Sequence, residues 1–423
     1  MKKNEKTIYV YADWSKQKTP MLVGTLHAIP TRGKLTFAFE YDTDWLHSQS
    51  AFTLDPSLQL YQGRQYGANE QTNFGIFLDS SPDRWGRLLM NRREVQRARQ
   101  ENRKPKNLLE TDYLLGVYDE HRIGALRFKT NLNGLFLDND LALAAPPWTS
   151  LRALEEACLA LEKPNVENDP FYSDWLNMLV APGGSLGGAR PKASVLDERG
   201  HPWIAKFPSS HDEYDMGAWE MLIYHLARSA GIDMADSILK RFNSRHHTFL
   251  NKRFDRTDSQ QRIHFASAMT LLQRSNGEDA STGVSYLELA EFITQQGARP
   301  VQDLHQLWRR IVFSMCVSNV DDHLRNHGFI FYPQAGWVLS PAFDMNPVAQ
   351  GNGLKLNVSE SDNAQDLSLA QEVAPYFRIK PVQSKQIIAD IVRVVRPWHK
   401  AAKQLGISLH EQNFMERAFR LAY

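Results

Sequence analysis

The chain has 423 residues, enough for two or three domains. Hydrophobic residues make up 42% and charged residues 23%, so a core of ordinary size can form. Lys and Arg number 49 against 48 Asp and Glu, which excludes a uniformly basic nucleic-acid coat but not a local basic patch.

Two cysteines, Cys158 and Cys316, stand far apart and outside any metal-type pair. That argues against a disulfide framework or a cysteine zinc site and fits a reducing cytoplasm. No apolar stretch follows the N-terminal lysines, and no run long enough to span a bilayer occurs, so no membrane segment is expected.

Residues 7–40 read as strands, with TIYVYA and KLTFAFEY as β-branched or aromatic runs set off by Pro and Gly. Residues 82–103 predict a helix with Ser81 as its cap and Pro82 in its first turn. Residues 84–106 carry nine basic side chains against Glu94 and Glu101. A solvated helix face explains that pattern, and contact with DNA or an acidic partner is the other reading. A helix end at 111–118 and a strand at 123–128 follow.

The turn-rich stretch 138–150 predicts a domain boundary, and 151–162 an amphipathic helix. Strands at 192–197 and 202–207 form a hairpin around the turn ERGH. A helix at 216–230 and strands near 236–243 and 247–253 complete a β-β-α-β-β order that suits the small lobe of a kinase. Beyond residue 265 the chain reads as helices at 267–273, 285–295, 301–317, 363–374, 382–401 and 410–421. A hairpin at 328–339 interrupts them. The expected organisation is a β-rich part at 1–140, a small lobe at 150–260 and a helical lobe at 261–423.

Four constellations carry chemistry, in one order along the chain. GGSLGGARPKA, from Gly183 to Ala193, exposes backbone N–H groups that can cradle a phosphate, and Arg190 and Lys192 add positive charge. Taken alone it reads equally as a flexible turn. Lys206 lies among apolar strand residues in WIAKFP and calls for an anion. Glu220, on the helix that follows, is a candidate partner for it. In NVDDHLRNHGFIF, Asp321, His323 and Asn326 form a D-x-H-x-x-N loop before a strand. A carboxylate there can accept a hydroxyl proton, and an Asn oxygen can hold Mg²⁺. Asp322 leaves the register open. LSPAFDMNP then brings Asp344 back after the hairpin as a second oxygen ligand.

Together these motifs resemble the HipA-like kinases, toxins of bacterial toxin–antitoxin systems. The resemblance runs from about residue 5 to about residue 400. It rests on Ser185 to Lys192 as S-x-x-G-A-x-x-K, on Lys206, on Arg253-Phe254-Asp255-Arg256, on Asp321 to Asn326 and on Phe343-Asp344. FLDSSPDRWGR at 77–87 marks the extra N-terminal subdomain. The resemblance implies an α+β, two-lobed protein-kinase-like fold with an N-terminal β-rich subdomain and a mostly helical C-lobe.

It also implies a cytoplasmic Ser/Thr protein kinase using ATP and Mg²⁺. Asp321 would be the catalytic base, and Asn326 and Asp344 the metal ligands. ATP would be bound by Gly187, Gly188, Ala189, Arg190, Pro191, Lys192, Lys206, Lys252, Phe254, His323, Asn326 and Asp344, with Lys252 and Phe254 nearest adenine. Ser185 would be the autophosphorylation site. A helix-turn-helix HipB-like antitoxin would make the main DNA contact, and the protein substrate would be a translation component such as an aminoacyl-tRNA synthetase. A small-molecule phosphotransferase and an inactive kinase-fold binding module are the alternatives.

Overall fold

The computed structural model of the chain describes residues 5–14, 17–31, 34–67, 72–141, 144–183 and 190–423. In strand β1 (Lys6–Ala12), Ile8, Val10 and Ala12 are buried and alternate with half-buried neighbours, the period of a strand with one face on a core. β1 pairs antiparallel with β2 (Met21–Thr31), and β2 with β3 (Lys34–Tyr41). The register of β1 and β2 shifts between Val10 and Tyr11. Gly24 is required nearby, because a Cβ there would stand 2.3 Å from the Glu40 carbonyl oxygen. β4 (Gln65–Tyr66) and β5 (Leu126–Lys129) complete a five-stranded sheet of order β4-β3-β2-β1-β5.

The chain divides into two compact units. The first holds residues 1–211 and 252–266, the second 212–251 and 267–423. In the first unit, helices α1 (Thr43–His47), α2 (Gly75–Asp79), α3 (Arg84–Gln100) and α4 (Glu110–Leu115) follow or interrupt the sheet strands. α3 starts two residues later than the sequence suggests. Its cap is Asp83, whose Oδ1 accepts from the Gly86 N–H at 2.8 Å, while the Ser81 hydroxyl donates to the Phe77 carbonyl. Pro82 therefore precedes the cap. α5 (Leu151–Leu161) and α6 (Tyr172–Gly183) pack together, and α6 was not expected from the sequence. β6 (Lys192–Leu196) and β7 (Pro202–Lys206) form the expected hairpin.

Buried guanidinium groups tie this unit together. Arg122 is fully buried and donates to the carbonyls of Ser80, Leu114, Val117 and Leu137. Burial lowers its pKa to about 10. Asp255 accepts from Arg253, Arg256 and the Gly124 N–H. Burial opposes its ionisation, but the two guanidiniums outweigh it and hold the carboxyl far below the usual range. The R-F-D-R run is thus a structural knot, with Arg253 and Asp255 buried and Lys252, Phe254 and Arg256 half-buried in alternation with them.

In the second unit, α7 (Met216–Ser229) precedes the hairpin of β8 (Ser237–Lys240) and β9 (Thr248–Lys252). β10 (His264–Ser267), whose first three residues belong to the first unit, leads into α8 (Ala268–Leu271), then α9 (Tyr286–Gln296) and α10 (Pro300–Val317). α10 is the axis of the unit: Leu304, Leu307, Trp308, Ile311 and Val312 are all fully buried. β11 (Gly328–Tyr332) and β12 (Gly336–Leu339) pair antiparallel. α11 (Leu367–Val373), α12 (Pro381–Val395), α13 (Trp398–Gln404) and α14 (Leu409–Met415) close the chain.

The single helix expected over 382–401 is two helices in the structure. Pro397 has no N–H to continue the ladder, and the helix breaks between α12 and α13. The break turns Trp398 onto Phe419, stacked at 4.1 Å between ring centroids, with Trp219 of α7 at 5.8 Å.

Candidate active site

Within the second unit, α10 ends at Ser318, which takes the left-handed conformation at φ 48° and donates its hydroxyl to the Ala418 carbonyl at 2.8 Å. The chain then enters the loop that holds Asp321 to Asn326. The Asp321 carbonyl accepts from the His323 N–H at 2.9 Å and from the Asn326 side-chain Nδ2 at 3.0 Å. The Asn326 amide nitrogen is thereby committed to the loop, and its oxygen is the atom that can serve a cation.

The two adjacent aspartates are chemically different. Asp321 is exposed. Asp322 is buried and accepts the Tyr286 hydroxyl at 2.6 Å, with His327 Nε2 at 3.2 Å. Burial works against the Asp322 carboxylate, but the His327 ion pair and the Tyr286 hydroxyl outweigh it and hold its pKa below the ordinary value. Asp322 is therefore a fixed anion that shapes the loop. Asp321 is the one able to meet a substrate.

After the β11–β12 hairpin, Ala342 N–H donates to the Asp233 carbonyl at 2.7 Å, and Asp344 follows, half-buried, at φ 57°. A non-glycine residue in that region is strained. Asn319 ties this stretch to the catalytic-type loop, since its Oδ1 accepts from the Asn346 N–H at 3.1 Å. Asn319 also donates to the Ser314 hydroxyl at 3.2 Å, so the C-terminal turn of α10 anchors both. Asp321, His323, Asn326 and the Asp344 segment are thus carried by one connected framework. From the sequence His327 reads only as a possible metal partner of His323, and Asn319 and Tyr286 carry no role; Asn319 and His327 stand at the edges of the motif, whereas Tyr286 comes from 36 residues before Asp322.

Asn326 and Asp344 offer hard oxygen donors, the type Mg²⁺ prefers while keeping waters and phosphate oxygens as its other ligands. Among the described residues no group of three or more His, Cys, Asp or Glu side chains forms a dedicated metal cage. The donor set fits a cation that arrives with a nucleotide.

The first unit carries the other expected residues. Lys206 ends β7, half-buried, directly across the hairpin from Lys192. Lys192 is buried, with its Nζ 3.3 Å from Asp83 Oδ2. Arg190 and Pro191 lead into β6. Lys252 approaches the exposed Asp258 at 3.6 Å, and the Phe254 ring lies 6.1 Å from that of Phe265. Ser185, Gly187, Gly188 and Ala189 lie outside the described residues. Glu220 is buried on α7. Along the basic helix, several charges are matched: Arg87 pairs bidentately with Glu110, and Arg103 pairs with Glu94 and Glu101. Arg84, Arg97 and Arg99 remain exposed.

A family model described as the HipA-like C-terminal domain matches residues 184–398, half of the chain, and a second, the HipA N-terminal domain, matches residues 18–130. The chain belongs to the HipA family. A curated Haemophilus influenzae protein named "Putative kinase" is 27% identical over 184 residues, 40% of this chain and 53% of that protein. The match thus spans about half the length of that relative. Among solved structures, HipA of the Shewanella oneidensis MR-1 toxin–antitoxin system, determined with HipB and operator DNA, superposes with a TM-score of 0.62. It is 19% identical and covers 98% of this chain and 95% of its own. The HipA fold is the α+β, kinase-like architecture with an N-terminal β-sheet subdomain that the motifs implied. Among the described residues no helix is long and apolar enough to cross a membrane.

Proposed function

We propose that this HipA-family chain is an ATP- and Mg²⁺-dependent Ser/Thr protein kinase and the toxin of a toxin–antitoxin pair. One observation carries the reading: in the D-D-H-x-x-N loop, Asp322 is buried against Tyr286 and His327 while Asp321 is exposed. An exposed carboxylate held by a rigid loop is what a general base for a protein hydroxyl requires.

In this reading Asp321 accepts the proton of the substrate serine. Asn326 and Asp344 hold Mg²⁺, which supplies charge neutralisation on the phosphates when bound. Lys206 contacts the α- or β-phosphate. The Gly-rich segment through Gly187, Gly188, Ala189, Arg190 and Pro191 covers the phosphates. Lys252 and Phe254 face adenine, and His323 lies beside the nucleotide. Ser185 is the autophosphorylated residue. The three-part organisation 1–140, 150–260 and 261–423 belongs to the same reading.

Kinship with a HipA solved on HipB and operator DNA supports a helix-turn-helix antitoxin as partner, with DNA contact made mainly through it. A translation component, such as an aminoacyl-tRNA synthetase, is the substrate class, and the cytoplasm is the compartment. The test is phosphoproteomics after brief induction, wild type against Asp321→Ala. Phosphoserine on a translation protein in the wild type alone supports the proposal. Phosphate on small molecules and on no protein turns it to a small-molecule phosphotransferase, and absence of ATP turnover turns it to a binding module.

A further inference from the structure

The Gly-rich segment begins where α6 ends, at Gly183, and ends where β6 begins, at Lys192. One helix of the β-rich subdomain reaches both flanking elements. On α3, Gln96 Nε2 donates to the Ser173 hydroxyl of α6 at 2.7 Å, and Trp85 Nε1 donates to the Lys192 carbonyl of β6 at 3.1 Å. Asp83, which caps α3, lies 3.3 Å from the Lys192 ammonium, and the two side chains are 2% and 3% exposed. The carboxylate divides its work: Oδ1 caps the helix and Oδ2 faces the lysine.

We propose that α3 is the positioning element for the nucleotide's phosphate segment, and that Lys192 is its anchor through Asp83 rather than a phosphate ligand. This rests on the kinase reading and adds to it a residue pair from the N-terminal subdomain. The physical need is plain. Lys192 and Lys206 are direct cross-strand partners, and like charges so placed repel. A buried ammonium also requires a buried anion. Asp83 supplies that anion at the exit of the segment, so the strand end keeps its register where a small displacement would misplace the phosphate-binding backbone. The sequence S-P-D-R-W at 81–85 then does two jobs, capping a helix and fixing the phosphate segment.

Asp83→Asn separates those jobs. Asn caps as well as Asp through its oxygen, but puts an amide nitrogen, unable to accept, against Lys192. It is compared with Lys192→Met and with the double variant. Mg²⁺-ATP affinity is read by calorimetry, and KM and kcat by transfer to the induced substrate or to the protein itself. Each single variant should weaken ATP on the order of tenfold to a hundredfold, as loss of a supporting contact does, with kcat at saturating ATP retained. The double variant should be no worse than Lys192→Met alone, because the two act as one unit.

Asp83→Asn that binds ATP as tightly as wild type, or more tightly, overturns the proposal, since a lysine released to the phosphate is a ligand. If Asp83→Asn does not fold, Trp85→Phe deletes the bond to the Lys192 carbonyl while keeping an aromatic ring in the buried site. It should raise the ATP KM, and an unchanged KM overturns the proposal in its place. Wild type that binds no ATP overturns the kinase reading itself, a distinct result.

Discussion

Replacing Asp322 with Ala should damage the fold, and replacing Asp321 with Ala should damage only the chemistry. Asp322 is buried and takes two charge-assisted contacts, from Tyr286 at 2.6 Å and His327 at 3.2 Å. Such bonds contribute about 1.5–3 kcal/mol each, so their loss costs about 3–5 kcal/mol, as breaking a buried pair does. At about 2–4 °C per kcal/mol, the melting temperature of the second unit should fall by about 6–20 °C. Asp321 is exposed, and its removal should cost within about 0.5 kcal/mol. As general base, however, it should be worth about 10²–10⁴ in the rate of phosphoryl transfer.

Calorimetric melts of both variants, beside an autophosphorylation rate, separate the two. The pH dependence adds a second check. Burial opposes ionisation of Asp322, and His327 and Tyr286 more than compensate, so its folded pKa is depressed. Its stabilisation is therefore complete above the ordinary carboxylate pKa of about 4 and is lost as pH falls through the lower folded value. Melts of wild type and Asp322→Ala should converge in strong acid. If Asp322→Ala melted like wild type yet lost all transfer, the register would be reversed and Asp322 would be the base.

Three further outcomes are expected. His264, packed near the rings of Trp14 and Phe52, has its pKa lowered to about 3 by burial, so between about pH 6.5 and 5 the unfolded chain binds a proton that the folded chain refuses. Stability of the first unit should fall by up to about 1.4 kcal/mol per pH unit there, and His264→Phe should flatten that slope in thermal melts. Asp344→Ala should abolish Mg²⁺-dependent ATP binding, and unchanged affinity and metal stoichiometry would remove Asp344 from the site. Incubation with ATP and Mg²⁺ should add a phosphate at Ser185, about −1.5 to −2 charges, and lower ATP affinity, while Ser185→Ala keeps it. Peptide mapping without that phosphate would end the switch idea.

Local pattern made much of this protein legible. Period-two burial in β1, the β6–β7 and β11–β12 hairpins and helices α5, α7 and α10 all stand close to where composition and turn residues put them. Motif order sufficed to name the HipA family, because phosphate, metal and proton chemistry constrain residue type and spacing at once. Local pattern erred where two local signals competed. Asp83, not Ser81, caps α3, and Pro397 splits a helix whose apolar spacing continues across it. α6 escaped notice because its run into Pro182 and Gly183 reads as a turn.

Other features were invisible before the chain was folded. Two neighbouring aspartates in a motif are equivalent on paper, and only burial against Tyr286 and His327, from elsewhere in the second unit and from the loop's own end, makes one a structural anion and leaves the other exposed. Lys192 follows a glycine-rich run, and its spacing alone does not show that the Asp83 carboxylate, more than a hundred residues away, lies 3.3 Å from its ammonium. Arg253 and Asp255 were motif letters until Gly124 and Arg256 closed the buried knot around them. The physical reason is common to all three. Sequence spacing determines which side chains share a strand or a turn, but the state of a charge depends on what long-range packing brings within hydrogen-bond reach and on how much water it removes.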